Sequence, residues 1–183
     1  TKETENASLV DISPDGSRVI TAGYAYKAPP IKLWDRATGA MIRTFGETSA
    51  STSSWINDLA FTPNGRFAVS AGGDNILRLW DLDQGKEVRA FEGHRGFIRS
   101  IAVSRDGKRL LSGSNDGTTR LWDIATGREM AQFVSFWDGE WIAITPEGYF
   151  NASQGGAKHL SVRLGSRVFP IDNLYETFFD PVY

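Results

Sequence analysis

Residues 93–123 read GHRGFIRSIAVSRDGKRLLSGSNDGTTRLWD, and this stretch decides the fold. Apolar and polar residues alternate from Phe97 to Val103, the chain turns at Ser104-Arg105-Asp106-Gly107, and alternation resumes from Arg109 to Ser114. A second turn, Asn115-Asp116-Gly117, leads into Thr118 to Leu121-Trp122-Asp123. Period-2 apolar spacing broken by Asp-Gly pairs predicts short antiparallel strands joined by tight turns, because glycine reaches positive φ without steric cost.

The same pattern occurs upstream, closing on Leu33-Trp34-Asp35 and on Leu79-Trp80-Asp81. Self-similarity at a period of about 42 residues predicts a repeat architecture. The first turn recurs as Pro14-Asp15-Gly16, Pro63-Asn64-Gly65 and Pro146-Glu147-Gly148. Another follows each Trp-Asp pair: Ala37-Thr38-Gly39, Asp83-Gln84-Gly85 and Ala125-Thr126-Gly127.

The Gly93-His94 opening, the Ser-Gly-Ser-Asn-Asp-Gly turn at 112–117 and the terminal Trp-Asp together resemble the WD-repeat β-propeller family. That resemblance implies an all-β fold, a β-propeller of four-stranded antiparallel blades packed round an axis. It places about four blades on the chain: residues 5–46, 52–92, 93–135 and 136–171. The match is strongest in the third copy. The fourth keeps Ile142 to Tyr149 but has Arg163 where the tryptophan would fall, so it reads as a degenerate terminal blade. Residues 172–183 form a tail in which Leu174, Tyr175, Phe178 and Phe179 follow the candidate N-cap Asp172 and precede Pro181, a pattern that predicts a short helix.

Composition narrows the function. The chain is 40% hydrophobic and 23% charged, carries a net charge of -2 without a basic cluster, and has no cysteine. Nucleic-acid binding needs concentrated Lys and Arg, and a membrane span needs about 18 consecutive apolar residues; neither is present, and no secretory signal is legible. The expected setting is cytoplasmic. Propellers close with about four to eight blades, so this arc is expected to be part of a larger propeller, or to associate head to tail with further copies and close a ring.

A serine, a histidine and an aspartate invite comparison with a hydrolase triad. The resemblance instead implies that Trp122, Ser112, His94 and Asp116 form a structural hydrogen-bond chain, in which the indole occupies the hydroxyl a substrate would need. The second copy retains Ser70, Asp74 and Trp80, with Thr52 or a neighbour at the histidine position; the first retains only Thr21 and Trp34. Asp81, Asp83 and Gly85 echo a calcium loop that lacks its other ligands. Asp138, Glu140 and Glu147 have no partner base in the sequence pattern, and His159 reads as a packing or surface residue. No catalytic residue, cofactor or metal site is expected, and the chain reads as a non-enzyme.

In the resembling family, function usually means recognition by the face that carries the blade-entry loops and the turns between the second and third strands. On this chain that face is enlarged by residues 24–30 and 46–54. It would present Tyr24, Tyr26, Trp55, Asn57, Phe97 and Arg99, types that dominate interface energetics. The expected function is therefore a protein-interaction scaffold whose partner is a protein or peptide. Residues 138–153 with 173–181 also resemble the propeller end of bacterial multidomain WD-repeat proteins, among them caspase-like peptidases. This second resemblance implies a sensor or regulatory module of a larger enzyme.

Overall fold

Each alternating stretch becomes a strand, and each glycine turn ends one. The computed structural model describes residues 6–24, 31–46, 55–164 and 167–170. The first sheet is β1 (Asn6–Ile12), β2 (Arg18–Tyr24), β3 (Ile31–Asp35) and β4 (Met41–Phe45), antiparallel in that order. The second is β5 (Ile56–Phe61), β6 (Phe67–Gly72), β7 (Leu77–Asp81) and β8 (Lys86–Phe91). The third begins with β9 (Ile98–Val103), β10 (Arg109–Ser114), β11 (Thr118–Asp123) and β12 (Glu129–Ser135).

The repeat extends to atomic detail. Gly16, Gly65 and Gly107 sit at φ +71°, +68° and +70°, and their amides donate to the carbonyls of Ser13, Thr62 and Ser104. The preceding acidic or amide side chain ties each turn to its first residue: Ser13 to Asp15 at 2.6 Å, Thr62 to Asn64 at 2.7 Å and Ser104 to Asp106 at 2.6 Å. A register shift falls just before the tryptophan in each of these three sheets, at Leu33/Trp34, Leu79/Trp80 and Leu121/Trp122. The Trp-Asp carboxylates then cap the next turn, accepting from the amides of Thr38, Gln84 and Thr126.

Because successive side chains in a strand point to opposite faces, each sheet has a near face, which carries the tryptophan, and a far face. Ile20, Ala22, Ile31, Leu33 and Phe45 on the far face of the first sheet pack against Leu59, Phe61, Ala68, Trp80 and Leu82 on the near face of the second. Val69, Ala71, Leu77, Leu79 and Phe91 on the far face of the second pack against Ile98, Leu110, Trp122 and Ile124 of the third. These two inter-sheet cores supply most of the hydrophobic stabilisation, at roughly 25 cal/mol per Å² of apolar surface removed from water. The first strands also clasp one another directly. Asp11 accepts from the Phe61 amide at 2.8 Å and Asp58 from the Ile101 amide at 2.7 Å, which places β5 between β1 and β9.

The unit expected to form a fourth blade at 136–171 does not make a single four-stranded sheet among the described residues. β13 (Trp141–Ile144) pairs with β12, and β14 (Phe150–Ala152) pairs with β13, giving the third sheet six strands. The cause is the turn at 136–140. The Phe136 amide donates to Glu140 O at 2.9 Å and Gly139 adopts φ +84°, a hairpin too tight to carry the chain across to a new inner strand. A 3₁₀ turn (Gly156–His159) and a separate hairpin of β15 (Ser161–Leu164) and β16 (Arg167–Pro170) follow. Ile142, Phe150 and Ala157 make a small core of their own. The expected helix at 172–183 lies outside the described residues, as do Tyr26, Thr52 and most of the 46–54 expansion.

Candidate functional site

Each blade's tryptophan finds a hydroxyl on the neighbouring strand, and the three blades differ in what happens next. In the third, Trp122 Nε1 donates to Ser112 Oγ at 2.8 Å, Ser112 Oγ lies 2.7 Å from His94 Nε2, and His94 Nδ1 lies 2.9 Å from Asp116. The proton placement that satisfies every atom puts hydrogen on Nδ1, so that Ser112 donates to Nε2 and His94 donates to Asp116. Ser112 is 1% exposed and His94 7%, and the Ser112 oxygen already receives the indole. A substrate could reach neither.

Burial works to raise the Asp116 carboxyl. Hydrogen bonds from the Thr118 hydroxyl, the Arg95 amide, His94 and the Thr118 amide outweigh it and hold the group well below the usual carboxylate range.

In the second blade Trp80 Nε1 donates to Ser70 at 2.9 Å, and the position matching His94 lies outside the described residues. Asp74 pairs with Arg78, which also reaches Glu87 at 3.1 Å. The equivalent Arg120 of the third blade pairs with Glu129 and leaves Asp116 to the histidine. In the first blade Trp34 Nε1 donates to Thr21 at 2.9 Å.

The blade-entry residues share one end of the sheets. Register places Ile98 level with Ser114 and Thr118 level with Val134, so the start of β9, the Asn115-Asp116-Gly117 turn and the end of β12 lie together. Phe97 is 40% exposed and Trp55 37%. The Arg99 guanidinium sits 5.8 Å from the Phe97 ring, and its Nε donates to Asn115 at 3.0 Å. This end is held rigidly: the Asn115 amide donates to Phe97 O, the Gly73 amide to Trp55 O, and a Cβ on Gly96 would come within 2.8 Å of the Asp116 amide nitrogen. Arg99, Ser114, Thr118 and Phe133 border a shallow depression of about 350 Å³. Asn57 is turned inward, donating to Ile98 O at 2.7 Å, and so joins two blades rather than facing solvent. Tyr24 ends β2, and its side chain is outside the described set.

Sequence reasoning missed Trp137. It projects fully into solvent from the 136–140 hairpin, at the same end as Phe97. The signal was present in Trp137-Asp138-Gly139: a bulky apolar residue beside a tight turn has no neighbouring strand to pack on. Below it, Asp138 binds Lys158 at 2.9 Å and His159 at 3.2 Å, and His159 stacks on Phe136 with ring centroids 3.9 Å apart. The Lys158 ammonium leads the interactions that lower the Asp138 carboxyl to about 2. Glu140 accepts from Ser153 Oγ and the Gly155 amide, so both carboxylates brace the hairpin. Among the described residues no cluster of His, Cys, Asp and Glu could hold a metal ion, and no helix is long and apolar enough to cross a membrane.

The family model described as "WD domain, G-beta repeat" matches residues 39–81 and 85–123. The nuclear distribution protein PAC1-1 of Uncinocarpus reesii is 39% identical over 70 residues, which cover 37% of this chain and 15% of that protein. Nuclear distribution protein nudF 2 of Aspergillus clavatus is 37% identical over 94 residues, 50% of this chain and 20% of that protein. The DENN domain and WD repeat-containing protein SCD1 of Arabidopsis thaliana is 32% identical over 85 residues, 46% and 7%. The chain thus spans a fifth or less of these curated relatives. The solved structure of U3-55K superposes with a TM-score of 0.66 at 16% identity, over 83% of this chain and 53% of that one. The chain carries WD40 repeats, and its fold is that of β-propeller blades.

Proposed function

We propose that this chain is a non-enzymatic protein-interaction module that docks a protein or peptide partner on its blade-entry end. One observation carries the reading: Trp55, Phe97, Arg99 and Trp137 are exposed at that end, on strand starts and turns locked by backbone hydrogen bonds. Rigid aromatic and arginine side chains give large contact area at low entropic cost, which is why they dominate hot spots. The triad-like residues support the same reading from the other side, because His94 and Ser112 are buried beneath the indole of Trp122.

The names of the relatives concern proteins of which this chain is a small part, so a role in nuclear distribution is not carried over. The alternative of a regulatory module in a bacterial multidomain enzyme draws no support from these fungal and plant relatives. Affinity capture with the wild-type chain and with Phe97→Ala/Arg99→Ala tests the proposal. The double variant is expected to lose captured partners, by about 2–4 kcal/mol of binding, at an unchanged melting temperature. Equal capture by both proteins would reject this face.

A further inference from the structure

We propose that the cleft between the second and third sheets, at the end that carries the Asn64-Gly65 and Asp106-Gly107 turns, binds an extended peptide segment in which a large apolar side chain is flanked by carboxylates. Both walls of the cleft belong to these adjoining sheets, and it encloses about 680 Å³. The joint between the first and second sheets shows why it is open. There Arg18, opposite Asp35 in register, crosses to the second sheet, where it donates to Gly65 O at 2.6 Å and pairs with Asp83 at 3.1 Å. At the second joint the position of Arg18 is taken by Phe67, opposite Asp81, and the positions of Gly65 and Asp83 by Gly107 and Ala125. The arginine and its carboxylate have been exchanged together, so this crossing latch is missing. A Cβ on Gly65 would meet Pro14 at 3.6 Å and Arg18 at 3.9 Å, whereas one on Gly107 would meet only Pro63, at 3.6 Å. Among the described residues the Gly107 carbonyl accepts no hydrogen bond.

What remains in the cleft selects the ligand. Phe67, Leu79 and Val88 supply apolar lining, and Val88 is 44% exposed because it is the extra residue of the β8 bulge. Three carboxylates also line the cleft, and each is engaged by its own turn. Asp81 accepts from the Asp83 and Gln84 amides and from Arg66, Asp106 from Ser104 Oγ and the Lys108 amide, and Asp123 from the Thr126 amide and Arg109. The cations divide differently. Arg66 is held by Asp81, with its guanidinium 5.0 Å from the centre of the Phe67 ring. Arg89 donates to Thr126 O at 2.7 Å, and Lys108 helps to lower the Asp106 carboxyl, yet among the described residues neither forms an ion pair. Both can therefore take a carboxylate in a charge-assisted bond. An extended segment supplies that carboxylate, an apolar side chain for Phe67 and Val88, and a backbone N–H for the Gly107 carbonyl. A basic segment would meet three cations, and would find Ala125 where Arg18 finds Asp83.

Nuclear magnetic resonance titration of the 183-residue chain with a synthetic peptide, a leucine flanked on both sides by glutamates, tests the inference. The amides of Val88, Gly107 and Lys108 are expected to shift saturably, and the same peptide with lysine in place of glutamate is expected to leave them unmoved. Phe67→Arg/Ala125→Asp rebuilds the latch of the first joint inside the cleft. It is expected to abolish the shifts while the melting temperature holds or rises, so that loss of binding is not loss of fold. Lys108→Glu, on an exposed turn, is expected to weaken binding about tenfold. Absence of shifts with the acidic peptide, an equal response to the lysine peptide, or full binding by either variant would overturn the proposal. Phe97→Ala/Arg99→Ala is expected to bind the peptide as the wild type does, which keeps this result separate from the fate of the blade-entry face.

Discussion

The second and third sheets share a strand order, a bulge and a buried tryptophan, and they differ in what lies over their far faces. Val69, Leu77, Leu79 and Phe91 of the second are sealed by the third sheet, whereas Leu111 and Phe133 open to solvent beside Leu121. At Leu77 the third sheet has substituted Thr119, and at Arg89 it has Ala131. The repeat thus specifies a blade, while the energetic weight of each residue depends on its neighbour. A propeller blade buries only half of its apolar surface within its own interface, and the rest waits for the next blade.

The largest contrast is between aspartate at equivalent positions. Val69→Asp buries a carboxylate in a dry interface and is expected to cost more than about 4 kcal/mol, enough to unfold the chain. Leu111→Asp in the monomer is expected to cost less than about 1 kcal/mol. Chemical denaturation of both variants under dilute conditions checks the pair. Similar losses would mean that the third far face is covered.

A smaller contrast separates the two turn aspartates. Asp116→Ala takes the carboxylate from the buried His94 Nδ1 and removes the bond to the Arg95 amide, at about 2–3 kcal/mol. Asp74→Ala still leaves Arg78 paired with Glu87, so about 0.5–1 kcal/mol is expected. Equal shifts in melting temperature would show that the histidine network adds nothing to the blade that has it.

The smallest effect appears in acid. Asp116 has a folded pKa below its unfolded one, so its stabilisation is complete above about pH 5 and is lost as pH falls through the unfolded value toward the folded one. The stability gap between wild type and Asp116→Asn is therefore expected to be constant from neutral pH down to about pH 5 and to narrow below it. A gap that widens in acid would reverse the sign of the argument.

Much of this was legible in the sequence. Alternation and glycine spacing locate the strands of the first three sheets because turn geometry admits few residues at positive φ. Pairing partners were harder to read. Trp141 to Ile144 has the pattern of a strand, but nothing in that pattern says which edge it joins; the compact Asp138-Gly139 hairpin returns it to β12. Asp74 could be placed in a turn, yet its engagement depends on Arg78 four residues away, a competitor that the spacing does not rank. Asn57 had the look of an interface residue, and its inward bond to Ile98 needed the adjoining blade in place. The contrast between Arg89 and Ala131 emerges only once the faces are aligned strand by strand.

The chain contains no cysteine, so a single introduced thiol reports one position cleanly. Labelling of Leu111→Cys and Val69→Cys with a thiol reagent measures the comparison directly. The account predicts that the thiol at 111 reacts at the rate of an exposed cysteine while the thiol at 69 reacts only through unfolding. Equal protection at 111 and 69 would contradict it.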